Sequence, residues 1–190
     1  ENTFEEKEEK ITGNTKIVLN AYQEVLNKTY NLVDEAQIGR IVGYLNKADR
    51  VLVCGCGSSG LSAKEMEIRF MRIGIDVDSM TDSDMIKMAS VFQNRRSLIF
   101  GFSISGERDE VTYWLREAYI KGAKTVLFTT NNGKKFSEYY SEVVALSSLR
   151  HLNYGNVISP QFPILIILDI IYAYYVEQNK YIREGMHDST

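Results

Sequence analysis

Val51-Leu52-Val53-Cys54-Gly55-Cys56-Gly57-Ser58-Ser59-Gly60-Leu61 decides the fold of this chain: an apolar, β-rich run enters a turn of glycine and serine, and a helix-like stretch leaves it. A second stretch, from Leu98 to Phe102 and on through Ser103-Ile104-Ser105-Gly106-Glu107, repeats the pattern ahead of a helical run from Asp109 to Lys121. Turns of this kind cradle anions. The first N–H groups of a helix have no intrahelical acceptor, and the macrodipole adds roughly half a positive charge there, so an anion gains hydrogen bonds and field together. Glycine lets the backbone approach the ligand, and serine hydroxyls add uncharged donors. If the two strands lie side by side in a parallel sheet, both turns converge on one crevice at their carboxyl ends. The expected ligand is a phosphorylated small molecule, held by Gly57, Ser58, Ser59, Ser103, Ser105 and Gly106.

Working outward, further β-rich runs are Val77 to Met80, Thr125 to Thr129 and Val143 to Leu146. The stretches between them read as helices: Leu61 to Ile73, Ser83 to Phe92, Asp109 to Lys121 and Phe136 to Tyr140. Strands with little polar alternation imply burial on both faces, so the expected architecture is a five-stranded parallel sheet with helices on both sides, a three-layer αβα sandwich. Ahead of it, apolar residues recur near helical spacing from Asn14 to Leu45, and Asp34 is a plausible N-cap that divides them into two leading helices. Residues 1–13 read as a charged arm or linker, 14–183 as the domain, and 184–190 as a polar tail.

The chain has 190 residues, 44% apolar and 25% charged, which suits one domain with a sizeable core. Net charge is -3, from 22 Lys and Arg against 25 Asp and Glu, with no basic block to serve as a nucleic-acid footprint. The chain begins at Glu1 without a charged-then-apolar leader, which suggests a segment of a cytoplasmic protein. Cys54 and Cys56, two apart at a strand end, suit neither a mutual disulfide nor a metal set, and are expected to fill space. No metal or cofactor is expected.

Ile164 to Val176 is apolar nearly all round, yet its about 13 residues fall short of the ~20 that span a bilayer, and Asp169 interrupts it. No membrane association is expected. Two readings account for such a helix: burial between the sheet and a second subunit, or burial within one chain. The first predicts at least a homodimer.

These residues, in this order, resemble the SIS (sugar isomerase) domain, and specifically the version in RpiR-type transcriptional regulators. The resemblance rests on Gly55-Cys56-Gly57-Ser58-Ser59, the run on to Met66, Phe70-Met71-Arg72-Ile73-Gly74, Thr81-Asp82-Ser83, Ser103-Ile104-Ser105-Gly106 and the closing apolar helix, and covers Ile11 to Tyr181. It implies a flavodoxin-like strand order and a sugar phosphate held through Ser59, Ser103 and Ser105. The family usually continues Ser-x-Ser-Gly-x-Thr, and here Arg108 stands at the Thr position. Arg108 either clamps the phosphate through a charge-assisted fork or leans outward; the clamp is the expectation, because the second turn otherwise offers no cation. The resemblance also implies a helix-turn-helix module ahead of this chain, through which alone DNA would be touched.

Function then divides into a sugar-phosphate sensor, an aldose-ketose isomerase or lyase on the same fold, and a scaffold that has lost its ligand. An isomerase needs a base beside a carbonyl. His151 and His187 are the only histidines, neither with an evident partner carboxylate, and Glu107 and Glu110 suit the first turn of a helix better than a base. Sensing is therefore the expected function, with no catalytic residue.

Overall fold

The computed structural model describes residues 12–91, 93–107, 109–131, 138–148 and 157–180. Helices α1 (Gly13–Leu32) and α2 (Glu35–Leu45) lead the chain. Asp34 divides them as expected: its carboxylate accepts from the N–H groups of Ala36 and Gln37 at 2.9 and 3.1 Å, satisfying donors that the start of α2 leaves open. Strand and helix then alternate through β1 (Arg50–Gly55), α3 (Ser58–Met71), β2 (Val77–Met80), α4 (Ser83–Ala89), β3 (Ser97–Phe102), α5 (Asp109–Ile120) and β4 (Lys124–Thr129). Strand β5 (Glu142–Ala145) and helix α6 (Phe162–Gln178) follow.

Every strand pair is parallel, and the order is β2-β1-β3-β4-β5, the expected flavodoxin-like sequence. Alternation along each strand builds two cores. Val51 and Val53 of β1, Leu98, Phe100 and Phe102 of β3, and Val126 and Phe128 of β4 face α2, α3 and α6. Leu52, Cys54, Ile99 and Leu127 face α4 and α5, where Trp114 and Leu115 cover them. The result is the expected three-layer sandwich, with both sheet faces dry.

One sequence expectation changes. The helix expected over Phe136 to Tyr140 lies partly outside the described residues, and Glu138 to Tyr140 run as turn and loop into β5. Ser141 and Thr125 explain the extended entry, since the backbone N–H of each donates to the hydroxyl of the other, at 3.2 and 3.1 Å. The closing helix is also covered within one chain: Ile164, Ile166, Ile167, Leu168 and Ile171 of α6 are buried, in contact with α1, α2 and α3. Burial within one chain accounts for these five residues, whereas Leu165, Ile170, Tyr172 and Tyr175 are only partly buried. Among the described residues no helix is long and apolar enough to cross a membrane.

The edge strand β5 is four residues long and is fastened by a carboxylate. Glu142, 8% exposed, accepts from Arg40 Nε at 2.6 Å and Nη2 at 3.0 Å, from Gln37 Nε2 at 3.1 Å and from the Tyr44 hydroxyl at 3.3 Å, tying α2 to the sheet. Burial pushes this carboxyl up, but the hydrogen bonds from Arg40 and Gln37 outweigh it and hold the group below its ordinary 4.5. Glu142→Gln is expected to lower stability by about 1–3 kcal/mol at neutral pH, mostly through lost hydrogen bonds. The ion pair itself adds little, because Arg40 is half exposed. Since the folded pKa lies below the unfolded one, the contribution is complete above about pH 4.5 and fades as pH falls through the lowered value. Thermal melts of wild type and variant should therefore differ at neutral pH and converge in acid. A difference that ignores pH would remove the carboxylate from this account.

Candidate functional site

The parallel sheet places the ends of β1, β3, β4 and β5 on one rim, and the strand order reverses direction between β1 and β3. A cavity of about 350 Å³ opens at that rim. Its walls come from four loops: Cys56, Ser58 and Ser59 after β1, Ser103 to Ser105 after β3, Thr130 after β4, and Leu146 to Ser148 after β5. Pro160 and Pro163, at the start of α6, close one side.

The first loop is tighter than the sequence suggests. Gly55 still pairs in β1, and Ser58, Ser59 and Gly60 already belong to α3, leaving Cys56 and Gly57 as the whole connection. Gly57 makes this possible at φ 61 and ψ -128, a conformation open to glycine and strained for other residues. The expected helix start at Leu61 thus moves back to Ser58, which puts the N–H groups of the first turn, those of Ser58 and Ser59, at the cavity. Close approach is built in, because a Cβ at Gly55 would lie 2.7 Å from the Ser59 carbonyl oxygen and one at Gly60 would lie 2.9 Å from that of Gly55.

The second loop is held by its neighbour. Ile104 O accepts from the backbone N–H of Thr130 at 2.9 Å and from the Thr130 and Thr129 hydroxyls at 2.7 and 3.3 Å, while Ser103 N–H donates to Phe128 O at 3.1 Å. Gly106, at φ 71, turns the chain, and its N–H donates to Ser103 O at 2.9 Å. The Ser105 hydroxyl accepts from Glu107 N–H at 3.3 Å, which leaves its own proton to give. Ser103 is different. Its hydroxyl is fully buried, on the cavity wall, and has no hydrogen-bond partner among the described residues.

The structure thus brings Ser58, Ser59, Ser103 and Ser105 around one cavity, with Gly57 and Gly106 shaping the backbone behind them. Arg108, His151 and His187 lie outside the described residues. Glu107 is exposed, and Glu110 accepts from the Ser83 hydroxyl at 3.2 Å. Asp82, in the loop after β2, caps α4 through the N–H groups of Asp84 and Met85 at 3.0 and 2.9 Å and is absent from the cavity wall. Cys54 sits in the core, where burial, and then the neighbouring Cys56, push its thiol well up and leave it inert. Cys56 lines the cavity, a place that space-filling alone did not predict. Sequence reasoning also missed Thr130, Ser147 and Ser148. Both sets follow apolar strands with hydroxyls, as Ser103 does, and lack only the glycines that drew attention to the first two loops.

A family model, the SIS domain, matches residues 44–167. The chain belongs to the SIS domain family. A curated relative, an uncharacterized HTH-type transcriptional regulator of Haemophilus influenzae, is 31% identical over 157 residues, covering 83% of this chain and 54% of the relative. The chain spans about half the length of the curated relatives it matches, 54% and 62% for the first two. Among solved structures, the Vibrio vulnificus NanR protein complexed with ManNAc-6P superposes with a TM-score of 0.81 at 19% identity, over 95% of this chain and 69% of that one. The sugar isomerase domain of an RpiR transcription factor from Sphaerobacter thermophilus gives 0.76 at 20% identity, over 90% and 97%. Sugar-phosphate isomerases share the SIS fold too. At these identities the structural likenesses establish the fold.

The SIS cradle depends on backbone contact at Gly55 and Gly60, where the opposing atoms are carbonyl groups that cannot swing aside. Gly55→Ala and Gly60→Ala are each expected to lower stability by about 1–3 kcal/mol through overpacking. Gly43→Ala, in α2 with nothing within 4 Å of the new methyl, should instead stabilise by roughly 0.5–1 kcal/mol. Denaturant titrations of the three variants check the contrast, and equal effects at all three sites would contradict the close approach.

Proposed function

We propose that this chain is the sugar-phosphate-sensing domain of a cytoplasmic transcriptional regulator of carbohydrate metabolism, and that its ligand modulates DNA binding by a helix-turn-helix module outside this chain. The observation that carries the proposal is the Ser103 hydroxyl: buried, on the cavity wall, and without a partner among the described residues. A buried polar group left unpaired costs about 1–3 kcal/mol, so its presence makes sense where a ligand completes it. Ser58, Ser59 and Ser105 surround the same space, and the N-terminus of α3 supplies the field that an anion prefers.

Several features support sensing over isomerisation. The described residues of the cavity wall are hydroxyl, thiol and apolar ones, with no carboxylate or imidazole to take a proton beside a carbonyl. The NanR structure of the same fold is a complex with ManNAc-6P, and the curated relatives bear regulator names. No cofactor or metal takes part in this reading. A regulator reads paired half-sites with paired domains, so a homodimer or higher homo-oligomer belongs to the proposal.

Calorimetry with matched sugars tests it: a sugar phosphate should bind and the free sugar should not. Equal affinities would remove the anion site, and conversion of a bound sugar phosphate to its isomer would assign an enzyme. Ser103→Ala should weaken binding by about 1–2 kcal/mol while leaving the unliganded protein as stable or more so, because it deletes an unpaired group. Ser105→Ala should weaken binding similarly. Arg108 completes the proposed site as its cation, so Arg108→Thr should reduce both affinity and its dependence on salt. Tighter binding in Arg108→Thr would overturn the clamp.

A further inference from the structure

We infer that helix α1 registers occupancy of the cavity through a hydrogen bond between Thr29 and Ser147, an inference that rests on the sugar-phosphate reading of the site. Thr29 Oγ1 and Ser147 Oγ lie 2.8 Å apart across 118 positions of sequence, and the residues are 0% and 4% exposed. Ser147 also lines the cavity, so one residue serves both the ligand space and α1. The rest of the α1 contact tells the same story. Ala21, Val25 and Thr29 form its buried stripe, and Ala21 and Val25 pack with Ile158. Tyr22 meets the Phe162 ring edge-on at 4.6 Å. Ile158 and Phe162 flank the Pro160 and Pro163 wall of the cavity, so α1 is anchored on the cavity wall and its immediate neighbours.

The chemistry of the pair makes the contact responsive. A hydroxyl has one proton to give and lone pairs to accept with. While Ser147 donates to Thr29, it offers the cavity lone pairs only, and Thr29 is free to back-bond to a carbonyl of its own helix. An anion in the cavity claims the Ser147 proton. Thr29 must then donate to Ser147 and give up that back-bond, so the polarity of the buried pair reverses with occupancy. Thr29, fully buried, cannot turn to water instead, which couples the two choices. The change lands on the last turn of α1, and α1 leads back toward the amino-terminal side, where the proposed DNA-reading module lies.

Hydrogen exchange by mass spectrometry on this chain tests the inference, with ManNAc-6P as the probe, inorganic phosphate as a second, and calorimetry run beside it. ManNAc-6P at saturation should slow exchange of the α1 amides from Val25 to Leu32 by about fivefold or more, as couplings of ordinary size do. Thr29→Val, nearly isosteric, should still bind the probe and lose that slowing, whereas Thr29→Ser should keep it. Binding with unchanged α1 exchange in wild type, or slowing that survives Thr29→Val, overturns the coupling and leaves the site intact. Binding of neither probe overturns the site, and the coupling with it.

Discussion

All strands of this sheet point the same way, and everything else follows from that. A parallel pair cannot be closed by a hairpin, so each connection must climb back along a face of the sheet, and both faces become dry. Val51 and Leu52, neighbours in β1, consequently lie in different cores. Every strand also releases its chain at one rim. Where the order turns from β1 leftward to β2 and rightward to β3, the two connections leave on opposite faces and open a gap between them. The cavity is this gap, and its hydroxyl lining comes from residues within four positions of a strand end.

The layers were legible because burial on both faces leaves a plain mark in sequence: Leu98 to Phe102 and Thr125 to Thr129 carry no charged residue, and a hydroxyl residue follows each. Asp34 was legible because a capping carboxylate is a local device. What failed was non-local. Glu138 to Tyr140 read as helix until Ser141 and Thr125 are seen to grip each other across two strands. The contacts that α1, α2 and α3 make with α6 were equally out of reach, because they join segments far apart in sequence. Ser147 is the clearest case, since nothing near it in sequence announces that Thr29, on the leading helix, is its partner.

Within the site, local rules are broken in one place and kept elsewhere. Cys54 is buried and inert, Asp82 satisfies α4, and Ser105 accepts from its own loop. Among the described residues Ser103, held rigidly by the bond from its N–H to Phe128 O, is the one whose side-chain hydroxyl is fully buried with nothing to bond. A folded chain tolerates such a group at a cost of about 1–3 kcal/mol, which it recovers when a ligand arrives with an acceptor. The group is also preorganised, because its backbone is fixed by β4 and not by the ligand.

How much of a signal could leave this cavity depends on what α1 rests on. A single buried hydrogen bond contributes about 1 kcal/mol net, at the lower edge of the 1–3 kcal/mol by which coupled sites usually influence one another. Reversing the Thr29 and Ser147 pair would therefore shift a balanced equilibrium by roughly fivefold and no more. The apolar anchorage changes that estimate. Ile158 and Phe162 sit beside Pro160 and Pro163, whose rings fix the backbone on either side of the wall, so a ligand that presses on the wall displaces the surface on which Ala21, Val25 and Tyr22 are packed. Packed interfaces shift between discrete arrangements more readily than they deform. In the proposed coupling the hydroxyl pair carries the report that an anion is present, and the packing beside it sets how far the helix follows.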